Sequence, residues 1–259
     1  MKKIYLSLLG LFGLMALNSC TDEDYPLYNT GQKDSVFFDY IDKNNETATK
    51  LDYAFNFETA SVHTIELPVT LMGVPKDHDR KISITPVAEE TDMKVGVHYE
   101  VIEPVLPANA VKTVVKVNLL RGNDPLLLEQ SFKLRLKIEE NEDLRSVGQN
   151  IFDITYSDIR PGKPDWWTDT NSWDMFPTYT FETVQIFFEY FYANCPVANK
   201  DMFEEMIQKY GDYFVNASEM LGPGAMYRNF LMLNVLIPMY QDTLAGKNNI
   251  DWHGTVPKL

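Results

Sequence analysis

The sequence predicts a mainly β protein with a helical C-terminal part: an antiparallel β-sandwich followed by a small helical domain. Three observations predict it. Apolar residues alternate with period two between about residues 36 and 156. A Pro/Gly-bearing stretch with Pro161, Gly162 and Pro164 follows. Beyond it the apolar period changes to about 3.6. The expected organisation is a β-sandwich over 34–157, a linker over 158–165 and a helical domain over 166–259.

The strands come first. Residues 64–71 alternate strictly, with Ile65, Leu67, Val69 and Leu71 on one face. Residues 81–87 offer Ile82 and Ile84, weakening past Pro86. Residues 111–119 place Val111, Thr113, Val115, Val117 and Leu119 on one face. Residues 131–138 turn Phe132, Leu134, Leu136 and Ile138 inward and Lys133, Arg135 and Lys137 outward. Successive strand side chains point to opposite faces, so this pattern suits sheets buried on one side. Turn signals at Gly73-Val74-Pro75, Pro104, Pro107 and residues 121–125 separate the strands.

The helices follow. Residues 181–194 set Val184, Phe187, Phe188, Phe191 and Tyr192 along one stripe. Asp201 with Glu204 three residues on predicts a capped start. Phe203, Met206, Ile207, Tyr210 and Phe214 then share a face, and Gly222-Pro223-Gly224 breaks the chain. Residues 226–244 align Phe230, Leu233, Ile237 and Tyr240, with a kink expected at Pro238.

The N-terminus reads as a targeting segment. Lys2 and Lys3 precede an apolar run over residues 4–17, which is short of the roughly 20 residues that span a bilayer. It has the length of a signal-peptide core, so 1–19 is expected to be a signal peptide. Leu17-Asn18-Ser19-Cys20 resembles the lipobox of bacterial lipoproteins, departing only in Asn18. The resemblance implies a lipid on Cys20 and a lipidated tether over 20–33. Asp22-Glu23-Asp24 resembles the export tag of Bacteroidetes lipoproteins, which implies an outer-membrane protein exposed at the cell surface.

Composition narrows the partners. The formal net charge is −14, and removal of Lys2 and Lys3 leaves 21 basic against 37 acidic residues. That balance argues against nucleic acid and anionic lipid surfaces as partners. The two cysteines are Cys20 and Cys195. With Cys20 acylated no intrachain disulfide is left, and Cys195 among aromatics reads as a buried inert thiol.

Catalytic motifs do not emerge. His63, His78, His98 and His253 show no metalloprotease spacing. His98-Tyr99-Glu100 lacks the Cys-x-x-Cys of a deaminase-type zinc site. The loop Lys76-Asp77-His78-Asp79-Arg80 reads as a solvated turn. There is no Gly-x-Ser-x-Gly elbow, phosphate loop or dinucleotide fingerprint. Adjacent pairs such as Glu139-Glu140 and Glu204-Glu205 face different ways and make poor glycosidase dyads. The expectation is a non-enzyme with no cofactor and no metal.

One aromatic cluster stands out. Trp166, Trp167, Trp173 and Tyr179 lie just past the linker, with Asp165, Asp169, Asn171 and Asp174 among them. Exposed, these rings would stack on sugars, making them the candidate ligand-binding residues. The alternative is interdomain packing, since aromatics bury large areas and Trp N–H tolerates a half-wet junction.

Two resemblances complete the reading. Residues 95–101, the strand pattern after them and residues 128–134 resemble the Calx-β type of immunoglobulin-like sandwich, which implies that fold for the β part. His98 stands where that family has an acidic residue, and Glu129 sits one residue off its position. With Asp124 and Glu129 alone left, no Ca²⁺ site is expected. Cys20 with its acidic tail, Ser35-Val36-Phe37-Phe38, Val95 to Tyr99 and Pro164-Asp165-Trp166-Trp167 together resemble a family of uncharacterised Bacteroidetes surface lipoproteins, a domain of unknown function. Genes of that family commonly lie beside SusC/SusD-type importers. The resemblance implies an accessory or binding subunit for glycan or peptide uptake; the alternative is a surface hydrolase with an unrecognised site. The triplets Asp34-Ser35-Val36 and Asp242-Thr243-Leu244 also resemble O-glycosylation acceptors.

Overall fold

The computed structural model describes residues 33–169, 176–217, 225–253 and 257. Cys20, the signal peptide and Trp173 lie outside these residues.

Eleven strands are described: β1 (Asp34–Phe38), β2 (Lys50–Ala54), β3 (Val62–Met72), β4 (Arg80–Lys81), β5 (Ser83–Pro86), β6 (Tyr99–Ile102), β7 (Val105–Leu106), β8 (Lys112–Leu120), β9 (Phe132–Glu139), β10 (Leu144–Ser146) and β11 (Ile151–Ser157). They form a five-stranded sheet, β10-β1-β3-β8-β6, a four-stranded sheet, β2-β11-β9-β5, and a β4-β7 pair. The expected faces are the ones buried. Leu67, Val69, Val115, Val117 and Leu119 from the first sheet meet Leu134, Leu136, Ile138, Phe152 and Ile154 from the second in one cluster. Val111, predicted to face inward, is 49 % exposed because β8 begins after it.

The antiparallel expectation needs two corrections. β1 pairs in parallel with β10, and β2 pairs in parallel with β11. These partners are distant in sequence, and alternation within one strand carries no information about its neighbour's direction. The single strand expected at 81–87 is also two. Lys81 pairs with Val105 in one sheet, and Ser83 pairs with Glu139 in another. The chain changes sheets at Ile82, 1 % exposed, turning a corner of the sandwich.

A buried ion pair closes the end of the sandwich where β1 begins. Arg80 Nη1 donates to Asp34 Oδ2 at 3.0 Å, and Val74 N donates to Asp34 Oδ1 at 3.0 Å. Gly73 is required here, since a Cβ on it would lie 2.1 Å from Asp34 Oδ1. Arg80 Nε and Nη2 find no partner among the described residues.

The helical part contains α1 (Phe181–Ala198), α2 (Lys200–Tyr210), α3 (Ala225–Leu231) and α4 (Ile237–Leu244). None of the helices in the described residues is long and apolar enough to cross a membrane. Thr180 caps α1 by accepting from Thr183 N. α2 starts earlier than predicted: Asn199, not Asp201, is its cap and accepts from Met202 N at 3.1 Å. Pro238 acts as expected on the third stretch, where α3 and α4 are joined by a π turn over Met232–Leu236. Proline has no N–H for the carbonyl four residues back, which is that of Asn234. The side chain of Asn194 on α1 donates to it instead at 2.9 Å, while Asn234 Nδ2 returns to Phe230 O at 2.8 Å. The wider turn also leaves Leu233, predicted to be a core residue, 49 % exposed.

Candidate functional site

The aromatic cluster is core. Trp166 and Trp167 are each 1 % exposed. Phe176, Phe187, Phe188 and Phe214 surround Trp166 at ring-centre distances of 5.4 to 5.9 Å. Trp167 stacks on Phe176 at 4.7 Å and donates its indole N–H to Pro177 O at 3.0 Å. Neither ring has a face left for a sugar, so the ligand reading of Trp166 and Trp167 gives way to packing inside the helical part. Tyr179 is half-buried and its hydroxyl donates to Pro161 O at 3.3 Å. The glycosylation triplets fare no better. Ser35 is 2 % exposed, and Thr243 sits within α4 with its hydroxyl donating to Met239 O. Cys195 is fully buried, and desolvation pushes its thiol up to about 12.

A different surface has the form of a site. It is built on the chain between β2 and β3, which crosses from the β part to the helical part. Phe55 belongs to the β core, while Phe57 lies in the helical core between Phe181 and Phe188 at 5.4 and 5.7 Å. Asn56 between them takes a φ of 47°, a left-handed conformation that Asn tolerates better than most residues. One short strap thus buries a ring in each core. The next carbonyl, that of Glu58, is held from both sides. Arg121 donates to it from the end of β8, and Gln185 Nε2 donates from α1 at 3.2 Å.

Two adjoining hollows lie along this strap. The larger, about 500 Å³, includes Thr59, Ser61, Arg121, Asp158, Phe181 and Gln185. The smaller, about 270 Å³, includes Glu58, Thr59, Gln185, Glu189, Tyr192 and Tyr213. Thr59 and Gln185 line both, so the two hollows lie side by side along the junction and are described together as its groove.

The charges at this groove are largely satisfied from within. Arg121 forks onto Asp158, with Nε to Oδ2 at 2.8 Å and Nη2 to Oδ1 at 2.6 Å, and its guanidinium lies 4.9 Å over Phe55. Glu58 accepts from the Tyr53 hydroxyl and sits 3.3 Å from Nδ1 of His63, which stacks on Tyr53. Asp124 accepts from Leu126 N and from His98 Nε2. Lys94 N donates to Nδ1 of the same ring at 3.0 Å, so the ring proton is assigned to Nε2. These bonds hold the Asp124 carboxyl below its ordinary value, the Leu126 N–H contributing most and His98 next. Arg160 lies over Phe181 at 4.8 Å and pairs with Glu182 at 3.3 Å. Burial pushes the phenols of Tyr53 and Tyr213 well above the ordinary range, helped next by the hydrogen bond to Glu58 at Tyr53 and by the Glu58 charge at Tyr213. Both hydroxyls therefore stay protonated at neutral pH.

This arrangement offers ring faces, hydroxyls and an amide. Among the described residues no group of three His, Cys, Asp or Glu side chains is placed to hold a metal. Sequence reasoning missed the groove because its parts are scattered. Arg121 entered only as part of a turn signal, and no local pattern singled out Gln185 or residues 55–61. Phe57 between polar neighbours was the one available signal.

Comparison with known proteins adds a family. The model for the domain of unknown function DUF4843 matches residues 28–191, more than half of the chain, and the chain belongs to that family. No curated protein matches it. Among solved structures it is similar to a Bacteroides ovatus protein proposed to bind carbohydrate, at 13 % identity and a TM-score of 0.35 over 48 % of this chain and 37 % of that one. A two-domain Bacteroides fragilis protein of unknown function matches at 16 % identity and a TM-score of 0.35, over 51 % of this chain and 47 % of that one. The E. coli chaperone DraB matches at 13 % identity and a TM-score of 0.28, over 48 % and 55 %. The chain spans less than half the length of the first two. No enzymatic family is among these matches.

Proposed function

We propose that this DUF4843 chain is a non-catalytic surface lipoprotein that works by binding, as an accessory subunit of a SusC/SusD-type system for glycan or peptide uptake. The observation that carries the binding role is the groove between the β part and the helical part. Its volume falls within the roughly 300–1,000 Å³ common for ligand sites, and it combines ring faces with a few polar groups. The anchoring half of the proposal rests on the sequence. Leu17 to Cys20 supplies a lipid attachment point, Asp22-Glu23-Asp24 an outward export tag, and residues 20–33 a tether. Confinement to the membrane that holds the partner raises its effective concentration, so a weak contact is well occupied.

The test is a pull-down from outer membranes solubilised in mild detergent. The protein should bring a transporter pair with it, and the Cys20→Ala variant should lose fatty-acid labelling and membrane retention. Recovery of the protein alone, together with unchanged growth of a deletion strain on every imported nutrient, would overturn the accessory role. A reproducible turnover abolished by one substitution would replace it with the hydrolase reading.

A further inference from the structure

We infer that the junction groove binds a neutral, polyhydroxylated chain, an oligosaccharide lying across Thr59 and Gln185. This rests on the binding role proposed above and narrows it to one ligand class.

The first ground is shape. The two hollows share Thr59 and Gln185, so they adjoin along the strap, and one elongated ligand passing over these two residues can reach both. An elongated ligand of several units uses that shape; a compact one leaves half of it empty.

The second ground is charge. A site for an ionic ligand presents an uncompensated opposite charge. Here Arg121 is spent on Asp158 in a two-pronged pair, and Asp124 is spent on His98 and Leu126 N. Glu58 is spent on Tyr53, with His63 beside it. A charged ligand would have to break one of these pairs, leaving a partner poorly solvated, which costs more than the new contact returns. Two charges at the exposed rim stay open to water, Glu189 with no partner among the described residues and Arg160 in a solvated pair with Glu182; both can hydrogen-bond hydroxyl groups, Glu189 as acceptor and Arg160 as donor.

The third ground is what remains free. Thr59 and Ser61 present exposed hydroxyls, Gln185 keeps its amide oxygen, and the Tyr213 phenol makes no hydrogen bond among the described residues. Groups that both donate and accept match sugar hydroxyls, which do the same. Tyr213 stands half-buried in the smaller hollow, giving it a ring against which the C–H face of a sugar can lie, whereas Arg160 already covers the Phe181 ring in the larger.

An extended peptide fits less well. Peptide chains are commonly held by adding a strand to a sheet edge. No residue lining either hollow belongs to a strand, and the Glu58 carbonyl already accepts two hydrogen bonds.

Calorimetry on the full-length protein in detergent micelles tests the inference. The probes are maltohexaose, cellohexaose, xylohexaose and mannohexaose, beside hexagalacturonate, the glucosamine hexamer and an uncharged hexapeptide. At least one neutral hexaose should bind. Thr59→Trp, which plugs the shared midpoint from an exposed position, should weaken it by about tenfold or more. Ser61→Trp, plugging the larger hollow alone, serves as a second blocking variant should the first fold poorly. Absence of binding by every neutral hexaose overturns the inference. So does binding unchanged in the folded blocking variants, or tighter binding of a charged hexamer or the peptide. Should the transporter pair still co-purify in such a case, the ligand class falls while the accessory role stands.

Discussion

The β part and the helical part build their cores from different side chains. The sandwich packs mainly aliphatic residues delivered by regular strands, with a minority of rings such as Phe38 and Phe152: Leu67, Val69, Val115, Val117, Leu134, Leu136 and Ile138 all come from alternating positions. The helical core is aromatic and recruits much of itself from irregular backbone. Trp166, Trp167 and Phe176 precede the first helix, Ile250 and Trp252 follow the last, and Phe57 arrives from the β part. Phe214 enters from a turn in which both Tyr213 and Phe214 have positive φ, 53° and 54°. A few wide rings fill the space between short helices with fewer residues than aliphatic chains need, and the backbone bends to deliver them. Such a core depends on single residues more than a sheet interface does.

Substitutions can break or sharpen that contrast. The largest effect is expected for Trp166→Ala, which empties a site ringed by four Phe side chains. Chemical denaturation should show a loss of about 3–5 kcal/mol. A loss under 1 kcal/mol would mean that the ring is not the centre of its core. In the β part the comparable weak point is polar. Asp34→Asn leaves Arg80, 2 % exposed, without its counter-charge, and about 3–5 kcal/mol should again be lost. Adding Arg80→Met should recover part of it; no recovery would show that the pair is not the cause.

A smaller effect tests the π turn. Asn194→Ala removes the donor to Asn234 O and should cost about 1 kcal/mol in the same assay. In a Pro238→Ala background, where the proline's missing N–H is restored, the cost should shrink. An equal cost in both backgrounds would detach the side chain from the proline's effect.

The smallest effect concerns acid. Asp153 takes both nitrogens of an Arg135 fork, at 2.6 and 2.7 Å, which holds its carboxyl below the ordinary 3.8. A depressed carboxylate stabilises the fold above its unfolded value, and that contribution fades as pH falls through the lower folded value. Denaturation curves from pH 6 downward should therefore steepen in their decline below 3.8, and Asp153→Asn should flatten that limb. An unaltered limb would assign acid sensitivity to other carboxylates.

Much of the fold could be read from local pattern. The inward faces of β3 and β9 and the stripe Val184, Phe187, Phe188 and Phe191 are buried as their periods require. Departures occur where a non-local partner decides. Ile82 turns a corner between sheets, Leu233 is rotated outward by the π turn, and β1 and β2 choose parallel partners from the far end of the β part. The candidate site was not legible, for the same reason. Its members come from the strap, the end of β8, the exit from β11 and α1, and no spacing rule links them.

The amino-acid sequence alone determined the division into a period-two part and a period-3.6 part, the inward residues of each regular element and the break near Pro238. Those follow from backbone geometry repeated every two or 3.6 residues, which any stretch of chain carries with it. The tertiary structure decided that Trp166 and Trp167 are core, that Phe57 crosses to the helical part, and that Arg121 and Gln185 meet on one carbonyl. These depend on which surfaces come together, and burial of a ring or satisfaction of a lone pair is settled only when the opposing surface is in place.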